Sequence, residues 1–476
     1  MNLSKLNHWC EFLSATDIQA IHDTSMKLLS EIGIRFPNKE ALTVFEKHGA
    51  KIDGQTVYLT ESQVMNSIES IPDQFTISAR NPDRNVIIGD GTPVFAPGLG
   101  APFLIDQDVG KRSATMDDYR DLVRLAQALP NQDMSGHQMA MPGDIPPRVA
   151  HLAMVHTGIV YSDKPFIGST DGTEGANHTL ELAKILFGGA LSQPVTVGVI
   201  NPLSPLGYSP DMIEALMIYA KAGQPLLIST LIMAGSTGPI TLAGVLAQQN
   251  AEILAGIILA QLIKPGTPII YGSTSTNTDM RTGALSIGGP ELSLCISAHT
   301  QLARFYGLPS RGGGALTDSN TTDAQAGLES MFSLLTTINS GIDFVLHSAG
   351  ILSSYMAFSR EKFVLDDEMI GMLKKFMQGI KVSPETLGYD VIANVGQNGH
   401  FLEEDHTLER CQSEFWQPDV VNRLDLATWM SNGKEDAAAR AKRRWIDILG
   451  NHQDPHLENL IIRQLQAYVD EKTLAL

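Results

Sequence analysis

From residue 93 onward the chain repeats one pattern of apolar and polar positions. A short apolar run is followed by a loop rich in Gly, Ser, Thr or Asn, and then by a stretch whose apolar residues recur three to four apart. The runs lie at 93–96, 136–141, 165–169, 194–200, 225–230, 268–272, 308–312 and 342–347. Helices are predicted between and after them at 117–128, 177–187, 210–222, 242–262, 290–306, 324–339 and 366–377. Pro93, Pro165, Pro194, Pro225 and Pro268 open strands, where a missing N–H matters least. Strand alternating with helix implies parallel pairing, and eight such units predict an α/β fold of the (β/α)8 TIM barrel type. An open doubly wound sheet is the rival, but no GxGxxG follows a first strand.

Before residue 93 the spacing predicts helices with a short β excursion, the first capped by Thr16 or Asp17 and two more begun by Asn38 and Thr60. After residue 380 Gly- and Asn-rich loops precede helices, including a basic one at 437–445 and a final one at 455–471. The expected division is an N-terminal helical cap (1–92), the barrel (93–380) and a helical C-terminal extension (381–476).

Composition narrows the function classes. A net charge of −18 and the lack of a basic stripe argue against nucleic acid as a partner. Cys10, Cys295 and Cys411 have neither disulfide nor thiolate-metal spacing, which points to a reducing compartment. The first residues mix polar with apolar side chains, so no signal-peptide core is predicted there. The apolar stretch 253–263 is too short to span a membrane and reads as a buried helix. A cytoplasmic chain with no membrane partner is expected.

In a barrel the loops after the strands build the site. That rule singles out His137, Thr170, Asp171, Asn201 with Ser204, Tyr271 with Ser273, Arg311, and His347 with Ser348. In the run Arg311-Gly-Gly-Gly, the glycines would let backbone approach a ligand, and the guanidinium suits a carboxylate or phosphate. The plain alternative is a turn with Arg311 paired to a neighbouring acid. His347 is either a hydrogen-bonded core residue or part of the site, while His299, in mid-helix among apolar residues, reads as structural. Asp366-Asp-Glu reads as the acidic start of a helix. No HExxH, paired cysteines, GxSxG or Walker loop occurs, so no metal is expected on this chain and hydrolase or kinase chemistry is disfavoured. Aromatic residues near strand ends or in the last loop, among them Phe95, Phe103, Tyr208, Tyr271, Tyr355 and Phe358, either pack the core or face a cationic ligand.

Four segments carry a family resemblance. Ala96-Pro-Gly-Leu-Gly-Ala-Pro-Phe-Leu-Ile-Asp, Val199-Ile-Asn-Pro-Leu-Ser-Pro-Leu, the stretch 312–327 and Gly399-His-Phe-Leu-Glu-Glu-Asp-His-Thr-Leu resemble the trimethylamine methyltransferase family, over about residues 15–465. The resemblance implies a barrel enzyme that moves a methyl group from an amine to the cobalt of a separate corrinoid protein. Trimethylamine enzymes carry pyrrolysine in the barrel, whereas this sequence has only standard residues, so no pyrrolysine role carries over. The chain looks most like the pyrrolysine-free branch, which implies a quaternary amine donor. Glycine betaine is favoured, with proline betaine, carnitine and choline open. No DxHxxG corrinoid-ligand string occurs, so the cobalamin is expected on a cognate partner protein. A homo-oligomer is expected as well.

On this reading Arg311 with Gly312 and Gly313 would hold a carboxylate. Tyr271, Phe95, Tyr355 and Phe358 would form an incomplete aromatic cage around the methylammonium, and Asn201 is a further substrate-binding candidate. His347 is the candidate catalytic residue, donating to the carboxylate or facing the cobalt. A barrel that binds quaternary amines without catalysis, and a lyase or isomerase with a Lys or His base, are the other classes. The latter lacks a lysine at any predicted strand end.

Overall fold

A computed structural model of the chain describes residues 10–475. Residues 1–9, part of the segment predicted to lack a signal-peptide core, lie outside them. Seven parallel strands form the central sheet: β1 (Val94–Ala96), β2 (Phe166–Gly168), β3 (Thr196–Ile200), β4 (Leu226–Thr230), β5 (Ile269–Ser273), β6 (Ser310–Gly313) and β7 (Phe344–Leu346). The hydrogen-bonded order runs from β2 to β7 in sequence, and β7 then pairs with β1.

The gap between β1 and β2 is closed by residues 133–135. The Asp133 amide donates to the Phe95 carbonyl at 2.8 Å, the Ser135 amide donates to the Pro165 carbonyl at 2.8 Å, and Ser135 bridges Phe166 in parallel. The wall therefore has eight positions, and the predicted run at 136–141 is displaced: it lies in the mouth loop, just past the three residues that form the wall. Those three include Asp133, and only Met134 among them is a large apolar residue, so they lack a strand's hydrophobic signature.

Residues of alternate parity point into the barrel. Val94, Ala96, Met134, Ile167, Val197, Val199, Leu227, Ile270, Phe344 and Leu346 share one buried cluster. Phe75, Ile77, Val86 and Ile88 of an antiparallel hairpin (Phe75–Ile77 with Val86–Ile88) join that cluster, and the Ser78 amide donates to the carbonyl of Pro194, which precedes β3. The hairpin thus plugs the end from which the strands start. Outward-facing residues pack against the helices in two further clusters.

The helices begin and end where local chemistry permits. Ser14 caps the first helix (Ala15–Lys27) in a reciprocal capping box with Asp17, so the cap lies two residues before the predicted Thr16. Asn38 and Thr60 cap the next two as expected. Helix Pro210–Ala222 runs from a Ser209 cap to Gly223, whose φ of 68° places it in the left-handed region. Among the described residues, Leu242–Ile263 is the one helix long and apolar enough to cross a membrane, and it is buried in the core. The final helix runs Asn459–Ala475, shifted from the predicted 455–471, and packs on Pro147–Tyr161 and Gly172–Phe187.

Helix Arg360–Met377 begins six residues before the predicted 366, at the Ser359 cap. The acidic run Asp366-Asp-Glu is therefore buried in mid-helix rather than exposed at a helix start.

Candidate active site

The strand ends open into a mouth covered by two small sheets made of the loops themselves. One joins Phe103–Asp106, Gly110–Arg112, Ile351–Leu352 and Ala357–Phe358; the other joins Met233–Ala234, Thr276–Thr278 and Leu285–Ser286. Between them lies a cavity of about 400 Å³ lined by residues that include His137, Thr170, Asp171, Asn201, Ser229, Arg311, His347 and Tyr355.

Arg311 dominates it. Its Cα pairs with Gly272 of β5 and Phe344 of β7, so its side chain points into the barrel with Ile270 and Phe344. Nη1 donates to the Ser229 hydroxyl at 3.0 Å, and Nη2 donates to His347 Nδ1 at 2.7 Å. Ser229 lies two strands away, opposite Gly272. The guanidinium therefore reaches across the position of Gly272, where a Cβ would crowd Leu227 and Ser229. Arg311 is 2% exposed, and among the described residues no carboxylate pairs with it. Burial lowers its pKa to about 10, opposed only by Tyr355. Its Nε has no hydrogen-bond partner. A buried guanidinium without a counter-ion is costly unless a ligand supplies the charge.

His347 fixes this arginine in place. Nδ1 accepts from Arg311, so Nε2 carries the proton and donates to the Leu99 carbonyl at 3.2 Å. Burial first, then the adjacent guanidinium, holds its pKa well below that of free imidazole. The ring is neutral, with both nitrogens engaged. Its φ of 63° is left-handed, as are those of Gln138, Ser353, Ser354 and Tyr355 in neighbouring mouth loops. Such backbone costs roughly 1–3 kcal/mol per residue and gathers at sites held by their surroundings. Tyr355 lies over His347 with ring centroids 4.8 Å apart.

The other side of the cavity is anionic. Asp171 is exposed, and its Oδ2 accepts from the Ser169 hydroxyl at 2.9 Å and from Gln138 at 3.3 Å. His137 is buried with neither ring nitrogen bonded, and desolvation, opposed by Asp171, lowers its pKa to about 4.

The remaining sequence candidates lie elsewhere. Phe95 faces outward, with Lys374 Nζ 4.9 Å from its ring centroid. Tyr271 also faces outward, its hydroxyl donating to Asn250 Oδ1 at 2.9 Å. Phe358 packs beneath the loops against Gly350 and Phe363. Gly312 faces Ile296 and Ile342, while a Cβ at Gly313 would meet Leu316 and one at Gly314 would strike Ser348 and the His347 carbonyl. The glycine run thus lets β6 and β7 approach each other; it does not line the cavity. Ser204 and Ser273 bind Glu252 and Gln249, away from it. His299 is structural: Nε2 donates to the Arg311 carbonyl at 2.8 Å. Sequence reasoning did not single out Ser229 or Gly272, both small residues inside apolar strands with no local mark of their role.

The pocket at the strand ends of this (β/α)8 wall, cationic within and anionic toward solvent, lies where barrel enzymes build their sites. The chain belongs to the trimethylamine methyltransferase (MTTB) family, whose model matches residues 2–476. It is 49% identical to a glycine betaine methyltransferase of Desulfitobacterium hafniense (strain Y51), over 97% of this chain and 96% of that one. It is 35% identical to a proline betaine:corrinoid methyltransferase of Eubacterium limosum, over 87% of each chain. A trimethylamine methyltransferase of Desulfitobacterium hafniense (strain DSM 10664 / DCB-2) is 32% identical over 96% and 93%. The solved monomethylamine methyltransferase of Methanosarcina barkeri shares the fold at a TM-score of 0.55, with 14% identity over 93% of this chain and 90% of that one.

Proposed function

We propose that this methyltransferase takes a methyl group from glycine betaine and passes it to Co(I) of a separate corrinoid protein, leaving dimethylglycine. The observation that carries the substrate is Arg311, a buried cation without a counter-ion, facing a cavity open at Asp171 and Asn201. A zwitterion suits both ends: its carboxylate meets Arg311, and its quaternary nitrogen lies toward Asp171. The glycine betaine and proline betaine enzymes among the relatives support a betaine over choline, which has no carboxylate.

The chemistry needs little from the chain. The C–N bond breaks with its electron pair remaining on nitrogen, and the methyl carbon bonds to the cobalt. Because the donor already carries its positive charge, no general acid is required. Positioning and desolvation are what the protein supplies. His347, neutral and doubly engaged, serves by orienting Arg311. Tyr355 is the only Phe, Tyr or Trp among the lining residues, so the quaternary end is loosely held. That helps the reaction, since positive charge leaves nitrogen in the transition state. Among the described residues no group of three or more His, Cys, Asp or Glu could hold a metal. The missing DxHxxG string, with a proline betaine:corrinoid methyltransferase among the relatives, supports a corrinoid carried by a separate partner protein, and the free Cys10, Cys295 and Cys411 support a reducing, cytoplasmic compartment.

Purified chain mixed with glycine betaine and a Co(I) corrinoid protein should form dimethylglycine and methylated cobalt in equal amounts, read by the cobalt absorbance. Arg311→Ala should raise the KM for betaine by about 30-fold or more, roughly 2 kcal/mol, without lowering Tm. Betaine binding unchanged in Arg311→Ala would sink the carboxylate assignment. Inactivity with every betaine and carrier, despite tight betaine binding, would favour a non-catalytic binding protein.

A further inference from the structure

Buried polar atoms in a folded chain nearly always have a hydrogen-bond partner, because leaving one unpaired is costly. Among the described residues, His137 is the one side chain with two such atoms unpaired: neither Nδ1 nor Nε2 has a partner. The ring is 4% exposed and lines the cavity that Arg311 dominates. Its backbone is held on both sides. The Gly136 carbonyl accepts the Tyr119 hydroxyl at 3.3 Å, and the Gln138 carbonyl accepts the Gly100 amide at 2.8 Å. The imidazole is therefore kept at the cavity wall with its nitrogens open.

Glycine betaine does not satisfy it. His137 follows the second of the eight wall positions and Asp171 the third, and Gln138 Nε2 donates to Asp171 Oδ2 at 3.3 Å, joining the two loops. Arg311 stands on β6, the seventh position, across the barrel from Asp171. His137 thus flanks the quaternary end of the ligand, and a quaternary nitrogen has no hydrogen-bond donor. Asp171 attracts its charge all the same and, being exposed, is solvated. The imidazole is enclosed and neutral, its pKa lowered to about 4 chiefly by desolvation. In either tautomer one ring nitrogen is an acceptor with nothing to accept.

The product differs at this point. When the C–N bond breaks, both electrons stay on nitrogen, and the tertiary amine then takes a proton from solvent. The dimethylglycine so formed is a zwitterion like betaine, with an N–H where one methyl stood. Rotation about its Cα–N bond carries that proton to any of the former methyl positions, including the one nearest His137. A hydrogen bond from a charged donor is about twice as strong as a neutral one, and an enclosed cavity strengthens it further.

On the reading that betaine is the substrate, we infer that His137 is a product-binding residue: its free ring nitrogen accepts the N–H of a protonated tertiary amine, so the site holds dimethylglycine at least as tightly as glycine betaine. Dimethylglycine then competes with betaine for the cavity, and turnover slows as product accumulates.

Calorimetric titration of the full chain, without carrier protein, compares the two ligands at about pH 7, where both are zwitterions. Wild type should bind dimethylglycine with a Kd equal to or below that of glycine betaine. His137→Phe removes both nitrogens and keeps a flat ring. It should weaken dimethylglycine about tenfold or more while moving betaine less than about threefold. His137→Gln restores an acceptor and should recover part of the dimethylglycine affinity. Each variant is scored by the ratio of its two Kd values, which partial misfolding does not change; if His137→Phe does not fold, the wild-type comparison still decides. Dimethylglycine bound roughly tenfold more weakly than betaine by wild type would overturn the inference. So would an unchanged ratio in His137→Phe: with both Kd values raised, the ring serves the carboxylate, and with neither raised it is met by water. Wild type that bound no betaine would remove the substrate reading as well, whereas normal betaine binding with an unchanged ratio removes the role of His137 alone.

Discussion

Arg311 works because of residues that do nothing conspicuous. Its reach to Ser229 crosses the position of Gly272, and a Cβ at Gly272 would lie 2.7 Å from Leu227 Cδ1 and 3.1 Å from the Ser229 hydroxyl. Gly272→Ala should therefore push Ser229 aside and release Nη1. Overpacking of this kind costs about 1–3 kcal/mol. We expect the KM for betaine to rise about tenfold, one such increment of 1.4 kcal/mol, with kcat less affected. Equal KM in wild type and Gly272→Ala would show that the Ser229 contact is dispensable. Arg311, His347, Tyr355 and Asn201 were legible in the sequence because they follow strand runs. Phe95 and Tyr271 were misplaced for a physical reason. A parallel strand is buried on both faces, so its apolar run shows no alternation, and inward cannot be told from outward. Only the register, with Phe95 opposite Val345 and Tyr271 opposite Ile228 and Ser310, reveals the parity.

At the scale of elements, helix Arg360–Met377 connects the mouth to the body of the protein. Lys362 Nζ lies 2.6 Å from Asp366 Oδ2, one helical turn on, with both side chains buried. The same carboxylate oxygen accepts the Gly350 amide at 2.8 Å, in the loop that carries His347 and Tyr355. Asp367 accepts from Asn131 and Gln132, next to the residues that close the wall. The acidic run was read as a helix start because acids favour that position, and nothing local shows that their partners lie far away in sequence. The eight units were legible in outline; the three-residue closure at 133–135 was not, since backbone bonding rather than hydrophobicity defines it.

Asp366→Asn should leave the Lys362 charge buried and unpaired. The expected loss is about 3–5 kcal/mol, read as a lowered denaturation midpoint. Lys362→Met combined with Asp366→Asn should recover most of it, because the asparagine oxygen can still accept from Gly350. A double variant no more stable than the single would mean that the pair is not coupled.

Across the whole molecule, buried titratable groups set opposing pH dependences. His137 and His299 have pKa values near 4, and His347 lies well below its usual value, each chiefly through desolvation. A histidine depressed in the folded state binds its proton more readily when unfolded. Its contribution is fully present above about pH 6.5 and is lost as pH falls toward the folded value. Asp366 and Asp367 are raised to about 6 by burial, so they act the other way: their contribution is present below about pH 3.9 and lost as pH rises through 6. Between about pH 6 and 4 the two sets work against each other, and the stability of the intact protein should change less than either set alone would dictate. Removing one histidine exposes its share. His299→Gln should lower stability at neutral pH, since the bond to the Arg311 carbonyl is disturbed. The gap to wild type should then narrow by up to about 1.4 kcal/mol per pH unit on acidification, as wild type alone loses the histidine contribution. Denaturant midpoints at about pH 7, 6 and 5 give the slope of that gap. A gap that stays constant or widens as pH falls would mean that His299 takes up its proton as easily inside the fold as outside it, which a fully buried imidazole between two carbonyls and a guanidinium should not do.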